Sequence, residues 1–191
     1  MTGRLDLLAH GASAATRGAW FPDDDSLEGT AVGALEALRG RLRPYAHVLT
    51  SPARAARETA AALGFHAEVE MALRDCDYGR WRGLASKAVA EREPGEFAAW
   101  LGDPAAAPHG GESLAALVER VSDWLTQALA RESATLAVTH ASVVRAAIVN
   151  ALGADSSAFA RIDVAPLSLA KLSGHGQRWN LVALGPLGGL T

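Results

Sequence analysis

A short apolar run that stops at His-Gly stands near the start of this 191-residue chain: Leu5-Asp6-Leu7-Leu8-Ala9-His10-Gly11-Ala12-Ser13. Runs of about four to eight apolar residues ended by glycine read as buried strands rather than helices, which need more length. His10 therefore falls at the carboxyl end of a strand, the end at which open α/β sheets bind ligands. Gly11 lets the backbone turn sharply there and come close to a ligand. A lone histidine in such a place is commonly satisfied by a backbone carbonyl and nothing more. The same unit recurs far down the chain, however. Thr135-Leu136-Ala137-Val138-Thr139 ends in His140-Ala141-Ser142, and a helix follows at once to Leu152, ended by Gly153.

Between the two units, strands and helices alternate. Ser26 is placed to cap a helix over 27–42, with Val32, Leu35, Leu38 and Leu42 on one face. Tyr45 to Thr50 forms the second strand. Ser51 then caps a helix that starts at Pro52, where proline's missing amide is not needed. A third strand falls at 68–71. Residues 73–83, with two acids, two aromatics and two glycines, have no regular period and form an ordered loop. A polar helical stretch over 87–100 is broken at Pro94-Gly95. After the loop ending Gly110-Gly111-Glu112-Ser113, Ser113 caps a helix to about Ala130, burying Leu114, Leu117, Val121, Trp124 and Ala128. Segments 167–172 and 178–184 alternate as a hairpin around Gly174-His175-Gly176. The expected fold is a three-layer α/β sandwich: a mostly parallel central sheet, helices on both faces, and an antiparallel C-terminal strand pair. It is expected as a single domain over 1–191, with a helical excursion at about 84–112.

Composition removes several functions. Nearly half of the residues are apolar, as in a globular chain. The net charge of −3 gives no electrostatic reason to expect nucleic acid or a membrane surface as partner. One cysteine, Cys76, excludes an intrachain disulfide and a cysteine-based zinc cluster. Neither a signal-peptide pattern nor a run near the roughly 18 apolar residues of a membrane span is present, so a soluble, cytoplasmic protein is expected. Oligomeric state stays open, a homodimer included.

In a mostly parallel sheet, two histidines at strand ends face one crevice. One imidazole can attack phosphorus while the other donates a hydrogen bond to charge growing on the phosphoryl oxygens. Helices starting after Ser51 and His140 would aim free amides at the same place. Metal binding lacks support, because neither histidine has an i,i+4 histidine partner or an H-E-x-x-H spacing. No cofactor is implied.

Five pieces, in order, resemble the histidine phosphatase superfamily of phosphoglycerate mutase-like proteins. They are Leu8-Ala9-His10-Gly11-Ala12-Ser13, Thr50-Ser51-Pro52 through Thr59-Ala60, Leu73-Arg74-Asp75 through Gly83, Gly110-Gly111-Glu112-Ser113, and Val138-Thr139-His140 through Arg145. The resemblance implies that His10 becomes phosphorylated and His140 binds the phosphate, with Gly11, Ser13 and the amide of Ala141 beside it. It implies Asp75 as the acid, with Asp77 as runner-up, since a protonated carboxyl can give its proton to a leaving alkoxide.

Two departures stand out. The family's R-H-G arginine is here Ala9, and the arginine four residues after the serine of S-P is here Ala55. Each such arginine gives bidentate, charge-assisted hydrogen bonds to phosphate, and losing one donor of this kind costs ~10²–10³ in rate. Arg17, Arg54 and Arg57 are the candidate replacements, Arg17 and Arg54 ranking first because a loop and a first helical turn beside the site can reach it. Arg145 is expected to point along its own helix toward salt bridges. The implied function is a phosphomonoesterase acting through phosphohistidine on a small phosphorylated metabolite. The alternatives are an inactive binding module of the same fold and, behind it, a phosphoglycerate mutase, for which 191 residues leave little room.

Overall fold

The computed structural model describes residues 3–131 and 133–189. Strands β1 (Arg4–Ala9), β2 (His47–Thr50), β3 (Glu68–Val69), β4 (Ala134–Thr139), β5 (Ser168–His175) and β6 (Arg178–Pro186) form one sheet in the order β3-β2-β4-β1-β5-β6. The first four are parallel; β5 joins β1 antiparallel and pairs with β6. β1 and β4 lie side by side in the middle, Ala9 level with Thr139, so the two strand-histidine units end together. Helices α1 (Ala14–Gly18), α2 (Gly29–Glu36), α3 (Arg54–Ala62), α4 (Ser86–Arg92), α5 (Pro94–Gly102), α6 (Leu114–Leu129) and α7 (Ala141–Leu152) complete the chain.

The central strands β1 and β4 are buried on both faces, which is why they are largely apolar runs. Leu5, Leu7 and Ala9 join the core formed with α6 and α7, and Leu8 joins that of α2 and α3. Asp6 is fully buried among them, and Tyr45 Oη donates to its Oδ2 at 2.7 Å. α6 buries Leu117, Val121, Trp124, Leu125 and Ala128, and Ser113 caps it by accepting from the Ala116 amide at 3.1 Å. A cap of this kind contributes about 1 kcal/mol.

Some boundaries differ from the expected ones. The helix expected over 27–42 is only Gly29–Glu36, and its cap position is Glu28 with no side-chain bond, not Ser26. α3 starts at Arg54 rather than Pro52, with Ala53 at its cap position, while the Ser51 hydroxyl lies against His140. The stretch after Gly11 holds a helix that small, polar residues disguise: α1, closed by a Ser13/Thr16 capping box. Pro94 does not merely break a helix but begins α5.

Candidate active site

The site grows out of the paired ends of β1 and β4. The His10 amide donates to the Thr139 carbonyl at 2.8 Å, and the His10 and His140 ring centroids are 5.0 Å apart, edge to face at 78°. His10 Nδ1 lies 2.8 Å from the Gly11 carbonyl. A carbonyl only accepts, so Nδ1 carries a proton, and in the neutral ring Nε2 keeps its lone pair. Gly11 sits in a tight space and not in a left-handed turn. A Cβ there would come within 3.1 Å of Leu27 and 3.3 Å of Ala31. Its amide is already spent on Thr59 Oγ1 at 3.0 Å.

His140 is the N-cap residue of α7 but gives the helix no side-chain cap. Its Nε2 is 2.8 Å from the hydroxyl of Ser51, at the end of neighbouring β2, and that hydroxyl also accepts from the Ala53 amide at 3.2 Å. Its Nδ1 is 3.4 Å from Asp75 Oδ2, within ion-pair range yet without hydrogen-bond alignment, so it stays a buried polar atom with no bonded partner. Burial holds the His140 pKa down at about 4; the Asp75 carboxylate opposes this and the nearby His10 and Arg120 reinforce it. His140 is therefore neutral at physiological pH. Ser51, His140 and Asp75 follow one another as in a hydrolytic triad, but without the hydrogen bond from His140 to the carboxylate. Ser51, however, is 0% exposed, so its hydroxyl orients the imidazole and cannot meet a substrate.

Asp75 Oδ1 accepts from the Cys76 amide at 2.8 Å and from the Ser142 hydroxyl in the first turn of α7. The loop that carries Asp75 is pinned by Arg120 of α6. Arg120 pairs with Glu112 through two 2.7 Å bonds and donates to the carbonyls of Ala72, Arg74 and Asp75. The Gly110-Gly111 turn lies flat against this loop, and a Cβ on Gly111 would sit 2.0 Å from the Asp77 carbonyl oxygen.

Two cavities open off the histidines and share His10, Ser13, Asp75 and His140. The first, about 440 Å³, is walled by Ala55, by Asp24, Asp25 and Asp77, and by Arg74 and Arg82. The second, about 470 Å³, is lined by Ala9, Trp20, Phe21, Tyr78, Trp100, Ala141 and Arg145 among others. Of the residues expected at the site, His10, His140, Asp75, Asp77, Ser13 and Ala141 are brought together. The three candidate arginines line neither cavity. Arg17 pairs with Glu28, Arg54 with Glu58 at 2.8 Å, and Arg57 is exposed. The amide expected to be free at the start of α3, that of Arg54, donates to Asp24 Oδ1 at 2.7 Å. Arg145 has no ion pair among the described residues and lines the second cavity instead of reaching along its helix. Arg74, Arg82, Arg120 and Ser142 carry no short-range signal of a role, because each acquires its partner only through the fold. Among the described residues no cluster of acids, histidines or cysteines is placed to hold a metal ion, and no helix is long and apolar enough to cross a membrane.

The two histidines thus stand side by side at the carboxyl ends of adjacent parallel strands in a mostly parallel α/β sheet. Residues 6–186 match the family described as "Histidine phosphatase superfamily (branch 1)", and the chain belongs to that family. It is 32% identical over 186 residues to the bifunctional protein Rv2228c of Mycobacterium tuberculosis, covering 91% of this chain and 51% of that one. It thus spans about half the length of this and two further mycobacterial relatives. It is also 32% identical over 136 residues to a glucosyl-3-phosphoglycerate phosphatase of Mycolicibacterium vanbaalenii, covering 64% and 60% of the two chains. Among solved structures, a mycobacterial glucosyl-3-phosphoglycerate phosphatase in complex with vanadate superposes with a TM-score of 0.80 at 26% identity, over 93% of this chain and 96% of that one.

Proposed function

We propose that this protein hydrolyses phosphomonoesters of small metabolites through a phosphohistidine on His10. The observation that carries the reading is the complementary state of the two imidazoles. His10 Nδ1–H is held by the Gly11 carbonyl, so in the neutral ring Nε2 presents a lone pair. The Ser51 hydroxyl can donate to His140 Nε2, which leaves the ring proton on the unpartnered Nδ1, between His10 and Asp75. His10 Nε2 attacks phosphorus, a P–N bond forms, and the P–O bond to the leaving group breaks. His140 Nδ1–H stabilises the charge on the phosphoryl oxygens, and Asp75, with Asp77 as the alternative acid, gives the leaving alkoxide its proton. Water then cleaves the P–N bond, freeing inorganic phosphate and returning a proton to the carboxylate. The free amides in the first turn of α7, including Ala141, complete the anion's surroundings. Relatives that carry phosphatase names, and a neighbour solved with vanadate, support the class of substrate.

The second reading, a binding module without turnover, draws on one specific observation. Ala9 and Ala55 stand where the family resemblance places arginines, and Asp24, Asp25, Asp75 and Asp77 outnumber Arg74 and Arg82 around the first cavity. One experiment divides the two. Incubation with a panel of phosphomonoesters, quenched in base, is expected to trap an acid-labile phosphoryl group on the parent protein and none on His10→Ala, with hydrolysis lost in parallel. Turnover retained by His10→Ala, or a parent that neither binds vanadate nor releases phosphate, removes the phosphatase reading.

A further inference from the structure

The second cavity holds more than the proposed reaction requires. Its walls are apolar, with Trp20, Phe21, Trp100, Phe159 and Val164 around Ala141. Into it comes the cation Arg145, from the second turn of the helix that His140 begins. The guanidinium carbon of Arg145 lies 5.7 Å from the Phe159 ring centroid, which holds it in place by cation–π contact. Its Nε is buried with no hydrogen-bond acceptor, and no carboxylate among the described residues pairs with it. The indole Nε1 of Trp100, on the same cavity, is likewise buried without an acceptor. By contrast Arg17, Arg54, Arg74, Arg80 and Arg120 all meet carboxylates.

Guanidinium and indole N–H groups donate and never accept. A guanidinium that lines a cavity without a carboxylate partner is complementary to a ligand bringing acceptors. A single cation is matched by a single negative charge. A second phosphate dianion would exceed it, with Asp75 on the same wall. The aromatic walls ask for an apolar body. We propose that this cavity is a subsite for the leaving group, taking an apolar or aromatic moiety that bears a carboxylate, with Arg145 binding the carboxylate. Calling the ligand a leaving group rests on the phosphatase reading; the carboxylate site itself does not.

Trp20 and Trp100 make the cavity self-reporting by fluorescence, and binding requires no turnover. The full chain would be titrated with 4-hydroxyphenylacetate and with its neutral isostere 4-hydroxyphenylacetamide. The acid is expected to bind at least about tenfold tighter, the effect of hydrogen bonds to a charged group. That advantage should shrink to less than about threefold in Arg145→Met and survive in part in Arg145→Lys, which keeps the charge and guards against a folding defect in the first variant. Equal binding of acid and isostere by the parent, or an advantage that persists in Arg145→Met, overturns the proposal. A parallel arm compares kcat/KM for the phosphate esters of the two phenols, and the carboxylated ester is expected to be favoured. If neither ester is hydrolysed while the Arg145-dependent advantage stands, the phosphatase reading fails and the carboxylate site holds. If both esters are hydrolysed alike and the acid binds no better, the subsite fails and the phosphatase reading holds.

Discussion

Asp24 occupies a place that an anionic substrate would be expected to want. Its carboxylate takes the first amide of α3, it lines the first cavity, and its negative charge acts on His140. Its φ of 56° is left-handed, a conformation that asparagine tolerates as well as aspartate does. Asp24→Asn therefore keeps the backbone and the bond to Arg54 while deleting one like charge beside the phosphate position. Vanadate and phosphate should bind the variant roughly three- to tenfold more tightly, the scale of one charge–charge term near a protein surface. The gain should fade as salt is raised. A titration showing unchanged or weaker binding would mean that Asp24 does not oppose the anion.

At the scale of elements, the loop bearing Asp75 depends on a helix that never touches the histidines through its own reactive groups. Arg120 and Glu112 have side chains only 13% and 10% exposed, so breaking the pair leaves a nearly buried carboxylate with only Arg74, at 3.5 Å, as its cation. Arg120→Met should cost about 2–3 kcal/mol, seen as a lower urea midpoint with an unchanged slope. A loss below about 1 kcal/mol would show that the loop stands without its anchor. This network also marks the limit of what could be read from residues alone. The strands ending at His10 and His140, the Ser113 cap and the Gly153 stop are local patterns, and the structure has them where the pattern puts them. The Gly-Gly-Glu-Ser piece was visible, but its partner Arg120 was not, because their pairing closes only when α6 packs over the loop. For the same reason Arg17 and Arg54 looked available until Glu28 and Glu58 were found holding them. α1 escaped notice because five small or polar residues carry no apolar period. Ser51 read as a cap because S-P commonly is one, whereas the nearness of His140 is a property of neighbouring strands.

For the molecule as a whole, His140 makes stability depend on pH. Unfolded, a histidine titrates near 6.5; in the fold this one titrates at about 4. Between those values the unfolded chain binds the extra proton, so stability falls as pH drops through the window and does not recover below it. The single group is worth up to about 3 kcal/mol. Urea midpoints measured from pH 7 to 4 should decline more steeply for the parent than for a His140→Gln variant. Parallel curves would show that the imidazole is not held neutral. The order of the sheet has a consequence of its own. β1, earliest in the sequence, pairs Arg4 with Ala134 on one side and with Ser173 on the other. Nearly every ladder bond of the central strand thus joins residues far apart along the chain, a high contact order that slows folding. On a ribosome, the strand that delivers His10 must wait, unpaired and apolar, until β4 and β5 have been made, and that waiting strand is where premature association with other chains would start.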